Sequence, residues 1–196
     1  MDLAPERLQA VLRTALLSIG ASGYLDEVVA PLLRRIGEAW CAGEIGIAHE
    51  HAASPVVRGE LRWLVNVLAV PNDAPRAVVA CLALERHELG AALATAAAAQ
   101  AGWRVTYLGP DLPAADIAVA ASNDDASVVG VSVVLPADAP AARSELEALR
   151  RMLRPGTALL VGGAGVPSLG SLGEGITTVR DLAHWRVLLR SHAPAR

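Results

Sequence analysis

The chain has no lysine and no phenylalanine, and it has only two cysteines. All 17 basic residues are therefore arginine, set against 20 Asp and Glu for a net charge of −3. No basic run or stripe is present, so a nucleic-acid-binding surface is not expected. Cys41 and Cys81 lack the spacing of a metal or disulfide framework, and a reduced, cytoplasmic setting is the expectation. Aromatics are 3% of the chain, two Tyr and four Trp. Ala, Leu and Val must then build most of the core, and each Trp needs a reason. The start, Met1-Asp2-Leu3-Ala4-Pro5-Glu6-Arg7, has no basic segment leading into an apolar one, so a signal peptide is not expected. No uncharged apolar run reaches membrane-spanning length, and the Ala-rich residues 90–101 fall far short, so no membrane association is expected.

What is present is a globular composition. The 196 residues are 53% hydrophobic and 19% charged, which excludes intrinsic disorder. This length forms one ordinary domain, or two small ones sharing a core, without disulfides or a structural metal.

The texture changes at the turn-forming cluster Pro71-Asn72-Asp73-Ala74-Pro75. Before it the period is helical: Leu8, Val11, Leu12, Ala15; then Leu25, Val29, Leu32, Ile36, Trp40; then Val57, Leu61, Leu64, Leu68. Residues 1–71 are expected to form a small helical bundle ending in a long helix over residues 48–70, which Pro55 kinks or restarts. Residues 76–192 alternate strand and helix. Strands are expected over 76–84, 103–108, 127–135, 157–161 and 176–179, and helices over 88–101, 113–121, 139–153 and 182–190. This is an α/β pattern, a five-stranded parallel sheet of the flavodoxin-like, Rossmann-type class covered on both faces. Ligands of such sheets bind at the carboxyl ends of the strands, near the switch point.

Three segments fall at those strand ends. In Glu85-Arg86-His87-Glu88-Leu89-Gly90 a His follows the first strand, with a carboxylate two residues before it that can take one ring N–H and fix the tautomer. The same six residues also read as a solvated charged loop. In Gly130-Val131-Ser132-Val133-Val134-Leu135 a Ser sits in an apolar strand and must satisfy its hydroxyl through backbone or ligand. In Leu160-Val161-Gly162-Gly163-Ala164-Gly165 paired glycines give either a turn or space for a ligand against the backbone. Neither a Walker pattern nor a dinucleotide fingerprint is present. Ser132 has no ordered His and carboxylate partners, Cys81 lies in a buried strand, and no independent catalytic apparatus is expected.

As a set, Glu85/His87/Gly90, Ser132 with Val134, and Gly162-Gly163 resemble the cobalamin-binding domain family, with its acidic-x-His-x-x-Gly, Ser-x-Leu and Gly-Gly motifs. Glu85 stands for the commoner Asp and Val134 for the Leu. The resemblance implies a corrinoid with its own base displaced, His87 as the lower axial cobalt ligand, and a nucleotide tail passing Ser132 and the glycines.

In the helical half, Trp40 is followed after nine residues by Glu50-His51. Trp40 taken alone could be plain core, and Glu50 an ordinary first-turn acid. Together, within Ile-Gly-Glu-x-Trp and Glu-His-x-x-Ser, they resemble the CarH/LitR-type adenosylcobalamin photoreceptors. That resemblance implies a bundle capping the upper face of the corrin, Trp40 and Glu50 around the deoxyadenosyl group, and light cleaving the cobalt–carbon bond. It further implies a homo-oligomer, and the leading reading is a stand-alone light sensor that signals through protein contacts, with a regulatory protein partner. The family's DNA-binding helix-turn-helix is not matched, so direct operator binding is not expected. Cys41 stands where the family has the His that ligates cobalt after illumination, which leaves water, His49, His51 and Cys41 as candidates for that position, with water expected first and His51 preferred to His49. The other readings are a corrinoid carrier subunit of a methyltransferase or mutase system, which has the same layout, and a cobalamin storage or delivery protein.

Overall fold

The computed structural model describes residues 4–136 and 138–193; residues 1–3 of the expected bundle lie outside them. The chain divides into two compact units, Met1–Ala69 and Val70–Arg196.

The first unit is helical: α1 (Pro5–Gly23), a π-helical turn (Tyr24–Val29), α2 (Ala30–Cys41) and α3 (Ile47–Val67). Pro5 and Pro31 occupy first turns, where a missing N–H costs no helical bond. Pro31 also explains the π turn. It cannot donate to the carbonyl four residues back, and Ala30 N–H reaches five back, to Leu25 O. Tyr24, Leu25 and Val29 are thereby driven inward and are buried, as are Leu12 of α1 and Val57, Leu61 and Leu64 of α3. Along α2 the apolar stripe is only half-buried, and Trp40 ends it at 42% exposure. α3 is continuous across Pro55 and stops at Val67. The helix does not restart at Pro55, and it packs on α1.

By length and composition, Pro5–Cys41 contains a window apolar enough to cross a membrane, charged residues included. It is not one rod: Gly20, at φ 73° and ψ 173°, leaves helical geometry near its middle.

The second unit is a parallel sheet in the order β2-β1-β3-β4-β5. Its strands are β1 (Arg76–Leu82), β2 (Arg104–Leu112), β3 (Val128–Ser132), β4 (Ala158–Gly162) and β5 (Ile176–Val179). The helices are α4 (Leu89–Gln100), α5 (Ala114–Asn123), α6 (Ala139–Met152) and α7 (Leu182–Ser191). α4 packs with α7 on one face, α5 with α6 on the other. The architecture is thus the helices-then-flavodoxin-like sheet read from the sequence. β1 and β3 occupy the middle of the sheet and are buried almost throughout, which their unbroken apolar runs require. α4 lies close on the sheet because its buried face is largely alanine. The Trp residues divide by role. Trp103 and Trp185 are core, and the Trp185 indole N–H donates to Ala94 O at 3.0 Å. Trp40 and Trp63 are exposed, and Arg13 stacks 5.7 Å over the Trp63 ring.

Three strand ends differ from the periodicity. β1 stops at Leu82 rather than residue 84, β3 stops at Ser132 rather than residue 135, and β2 runs on to Leu112. The first two stop where backbone N–H groups turn from the ladder to carboxylates. The third continues through two register shifts, which pair Ala80 with Gly109 and Leu82 with Leu112.

Two stability predictions follow from the packing. A Cβ on Gly130 would lie 2.8 Å from Trp185 Cη2 and 3.4 Å from Val79 Cγ2. Gly130→Ala is therefore expected to destabilise the protein by about 1–3 kcal/mol in urea titrations, since the ring must leave its seat. An unchanged midpoint contradicts this packing.

The Tyr24 hydroxyl is buried without a hydrogen-bond partner among the described residues, and burial first, then the charge of Glu60, push its pKa from 10.0 up to about 12. Glu60 is itself buried, accepting from Gln9 Nε2 at 2.6 Å and Arg13 Nε at 3.1 Å. Tyr24 is protonated in both folded and unfolded states below pH 10. Its contribution to stability is lost as pH rises through 10 to 12, where the unfolded chain sheds the proton first. No lysine titrates across that window. Tyr24→Phe is expected to be neutral or slightly stabilising at pH 7 and to flatten the loss between pH 10 and 12. An identical alkaline slope in both proteins refutes the assignment.

Candidate functional site

The carboxyl edge of the sheet is organised by one buried side chain, Glu85, 3% exposed. It lies in the β1–α4 loop. Its Oε1 accepts the His87 backbone N–H at 2.9 Å and meets His87 Nδ1 at 2.7 Å. Its Oε2 accepts the N–H groups of Val134 and Leu135, each at 2.8 Å. Burial works against the charged form. The backbone donors of His87, Val134 and Leu135, with the His87 ring, outweigh it and hold the carboxyl below its ordinary value. An ionised carboxylate at 2.7 Å places the imidazole proton on Nδ1, which leaves Nε2 as the nitrogen with a free lone pair. The His87 side chain is 50% exposed, at the strand end where ligands of this sheet class bind.

This geometry explains why β3 ends early. Val134 and Leu135 spend their N–H groups on Glu85, so the chain after Ser132 leaves the sheet. The glycines of β4 accommodate that departure. Ser132 pairs with Gly162, and Val133 N–H donates to Gly162 O at 2.8 Å. Gly163 has φ 116°, and a Cβ there would lie 2.1 Å from Val133 O. A Cβ on Gly162 would sit 3.2 Å from Val179 Cβ. The space beside both glycines is filled first by the chain itself. Gly90, at the start of α4, faces Ser132: a Cβ on it would meet Ser132 Oγ at 2.9 Å. Glu85, His87, Gly90, Ser132, Val134, Gly162 and Gly163 are thus brought to one edge of one sheet.

Cys81, at the end of β1, is buried, with its thiol pushed up to about 12 by burial and by the charges of Glu85 and Glu88. It remains a protonated packing group.

In the helical unit, Trp40 stands one residue before the end of α2, and Glu50 and His51 lie in the first turns of α3. Glu50 accepts from Ser54 Oγ, and its other oxygen is 3.5 Å from His51 Nε2. His49 is committed to the helix start, its Nδ1 accepting Gly46 N–H at 3.3 Å. Cys41 is exposed, as is His51.

Three residues escaped the sequence reading. Tyr107 donates its hydroxyl to Glu88 Oε2 at 2.7 Å. Asp111 accepts Leu84 N–H on Oδ1 at 2.7 Å and donates its own N–H to Glu85 O at 3.1 Å. Leu84 is 71% exposed and holds φ 68°, uncommon for a bulky side chain. The available signal was Gly109-Pro110-Asp111, a turn cluster directly after a short strand.

Two models of the B12 binding domain match, over residues 75–172 and 1–64. The chain is 36% identical over 163 residues to the HTH-type transcriptional repressor CarH of Myxococcus xanthus, covering 83% of this chain and 54% of that protein. It is 32% identical over the same shares to the repressor CarA of that organism. It spans about half the length of these relatives. Among solved structures, the monomethylamine corrinoid protein of Methanosarcina barkeri superposes with a TM-score of 0.69 at 17% identity, over 93% of this chain and 89% of that one. The methanol:cobalamin methyltransferase complex MtaBC of the same organism gives 0.51 at 14% identity, over 96% and 74%. Both likenesses show the fold. On the matched segments, the chain belongs to the B12 binding domain family.

Proposed function

We propose that this protein is an adenosylcobalamin-dependent light sensor that signals through a change in protein association. Family membership supports cobalamin as the cofactor. The observation that carries the sensor reading is Trp40 followed after nine residues by Glu50-His51, and the one that supports corrinoid binding is the Glu85–His87 pair. A corrin brings four nitrogens of its own and needs one more donor from below. A half-exposed imidazole with Nδ1 held by a buried carboxylate supplies that donor through Nε2. Adenosylcobalamin, when bound, supplies a cobalt–carbon bond that visible light cleaves.

The remaining work falls to the chain. His87 ligates and orients, and Glu85 keeps the proton at Nδ1. The exposed Leu84 and Leu135 give the flat macrocycle an apolar seat. Gly90 and Ser132, with Val134 and the Gly162-Gly163 turn, line the way for the nucleotide tail. Trp40 covers the deoxyadenosyl group and Glu50 binds its sugar, with Glu50 held by Ser54. Both choices, and a homo-oligomer, follow the motif resemblance to the CarH/LitR-type photoreceptors, and a regulatory protein partner would receive the signal. After illumination water takes the upper position first, and His51, which belongs to the matched motif, is the preferred candidate to replace it. Cys41 is poorer, since its side chain is shorter than the His that the resemblance places there. The free thiols of Cys41 and Cys81 suit a cytoplasmic place.

A second reading is a corrinoid carrier serving a methyltransferase, in which the protein binds and presents the cofactor without reacting itself. The fold likeness to the monomethylamine corrinoid protein favours it. One experiment separates the two. The protein is loaded with adenosylcobalamin or methylcobalamin, and absorption and hydrodynamic size are recorded in the dark and after green light. The sensor reading expects preference for the adenosyl form and a change in size on illumination. It also expects Trp40→Ala to reduce the preference by about tenfold or more. Equal affinity for the two forms, or photolysis without any change in size, supports the carrier.

A further inference from the structure

We propose that Asp111 is a positioning residue that fixes the β1–α4 loop and so sets the placement of His87 beneath cobalt. The proposal rests on the reading of His87 as the lower ligand. Leu84 and Asp111 both hold left-handed backbone, at φ 68° and 60°. Such a conformation in a leucine persists only where its surroundings impose it. Asp111 imposes it: its carboxylate takes Leu84 N–H at 2.7 Å, and its own N–H donates to Glu85 O at 3.1 Å. The two bonds clamp residues 84 and 85 from the β2 side, while Val134 and Leu135 hold the Glu85 carboxylate from the β3 side. Without the Asp111 clasp the loop is fastened on one flank and Leu84 is free to relax to negative φ.

The register of β2 exists to make this contact. Two shifts between β1 and β2, at Val79/Ala80 and Ala80/Leu82, carry the edge strand past its regular pairing and bring Asp111 to the β1–α4 loop. Gly109, at φ 93°, allows the first of them. Aspartate suits position 111 twice. It tolerates left-handed backbone better than other charged residues, and it offers a short acceptor.

The test uses the full chain and four proteins: unmutated, Asp111→Asn, Asp111→Gly and Asp111→Ala. Asn keeps both the acceptor and the tolerance of positive φ, Gly keeps only the second, and Ala keeps neither. Hydrogen exchange of residues 83–88 is measured on the cofactor-free proteins. Absorption titrations with adenosylcobalamin then give affinity and the fraction with histidine on cobalt. Asp111→Asn is expected to match the unmutated protein. Asp111→Ala and Asp111→Gly are expected to exchange faster at Leu84 and His87, to bind on the order of tenfold more weakly, and to show a smaller histidine-on fraction. Asp111→Gly carries the comparison if Asp111→Ala does not fold. Unchanged affinity and spectrum in Asp111→Gly and Asp111→Ala overturn the proposal, whatever the exchange shows. Failure of the cobalamin reading is separate, visible as no spectral change with the unmutated protein. The exchange comparison then decides the clasp by itself, and equal exchange in all four proteins overturns it.

Discussion

A carboxylate taken out of water must be met by donors, and the carboxyl edge of this sheet is shaped by meeting one. Glu85 is buried yet held ionised by N–H groups of His87, Val134 and Leu135 and by the His87 ring. Three consequences follow from that one constraint. The chain after β1 must curl back so that His87 can reach the carboxylate two residues before it. The chain after β3 must leave the ladder to aim two successive N–H groups at the same oxygen. The chain after β4 must contain glycine where that departing segment presses against it, as Gly163 does against Val133 O. Motifs that look separate in the sequence are parts of one hydrogen-bond network. Removing any one donor leaves a buried charge short of partners, which costs far more than the bond itself contributes.

The network has a chemical result. A neutral imidazole can present either nitrogen, and a metal site needs the choice made in advance. The Glu85 carboxylate makes it by retaining the Nδ1 proton. It does so on rigid strand ends at the switch point between β1 and β3, so little reorganisation is left for the moment of binding. The helical unit is built differently. Its π turn, the break at Gly20 and the orphaned Tyr24 hydroxyl depart from ideal helix, and Trp40 and His51 are left exposed.

The architecture was legible in the sequence because the two units have different periods. Apolar residues three and four apart end at the Pro71–Pro75 cluster, and alternating strand and helix segments begin after it. The sheet residues of the candidate site were legible as a set, because the fold class brings the ends of β1, β3 and β4 to one edge, although the His loop and the paired glycines each also read as an ordinary loop and turn. What was illegible were contacts set by turned backbone. Val133, Val134 and Leu135 read as strand because they are apolar and β-branched, and propensity cannot see the carboxylate 49 residues away that takes the Val134 N–H. Asp111 was invisible for the same reason: its partners, Leu84 N–H and Glu85 O, are brought to it by a shift of register. At Pro55 local chemistry allows a restart, while α3, packed on α1, runs through it as one helix.

The account stands or falls on which nitrogen meets cobalt. Cobalt(II) cobalamin bound to the protein, grown once with ordinary and once with 15N-labelled histidine, gives the answer by electron paramagnetic resonance. Ligation through His87 predicts that the triplet splitting from one nitrogen becomes a doublet on labelling, and that the doublet disappears in His87→Ala. A triplet that labelling leaves untouched would mean that the cofactor keeps its own base on cobalt, and it would contradict the central claim.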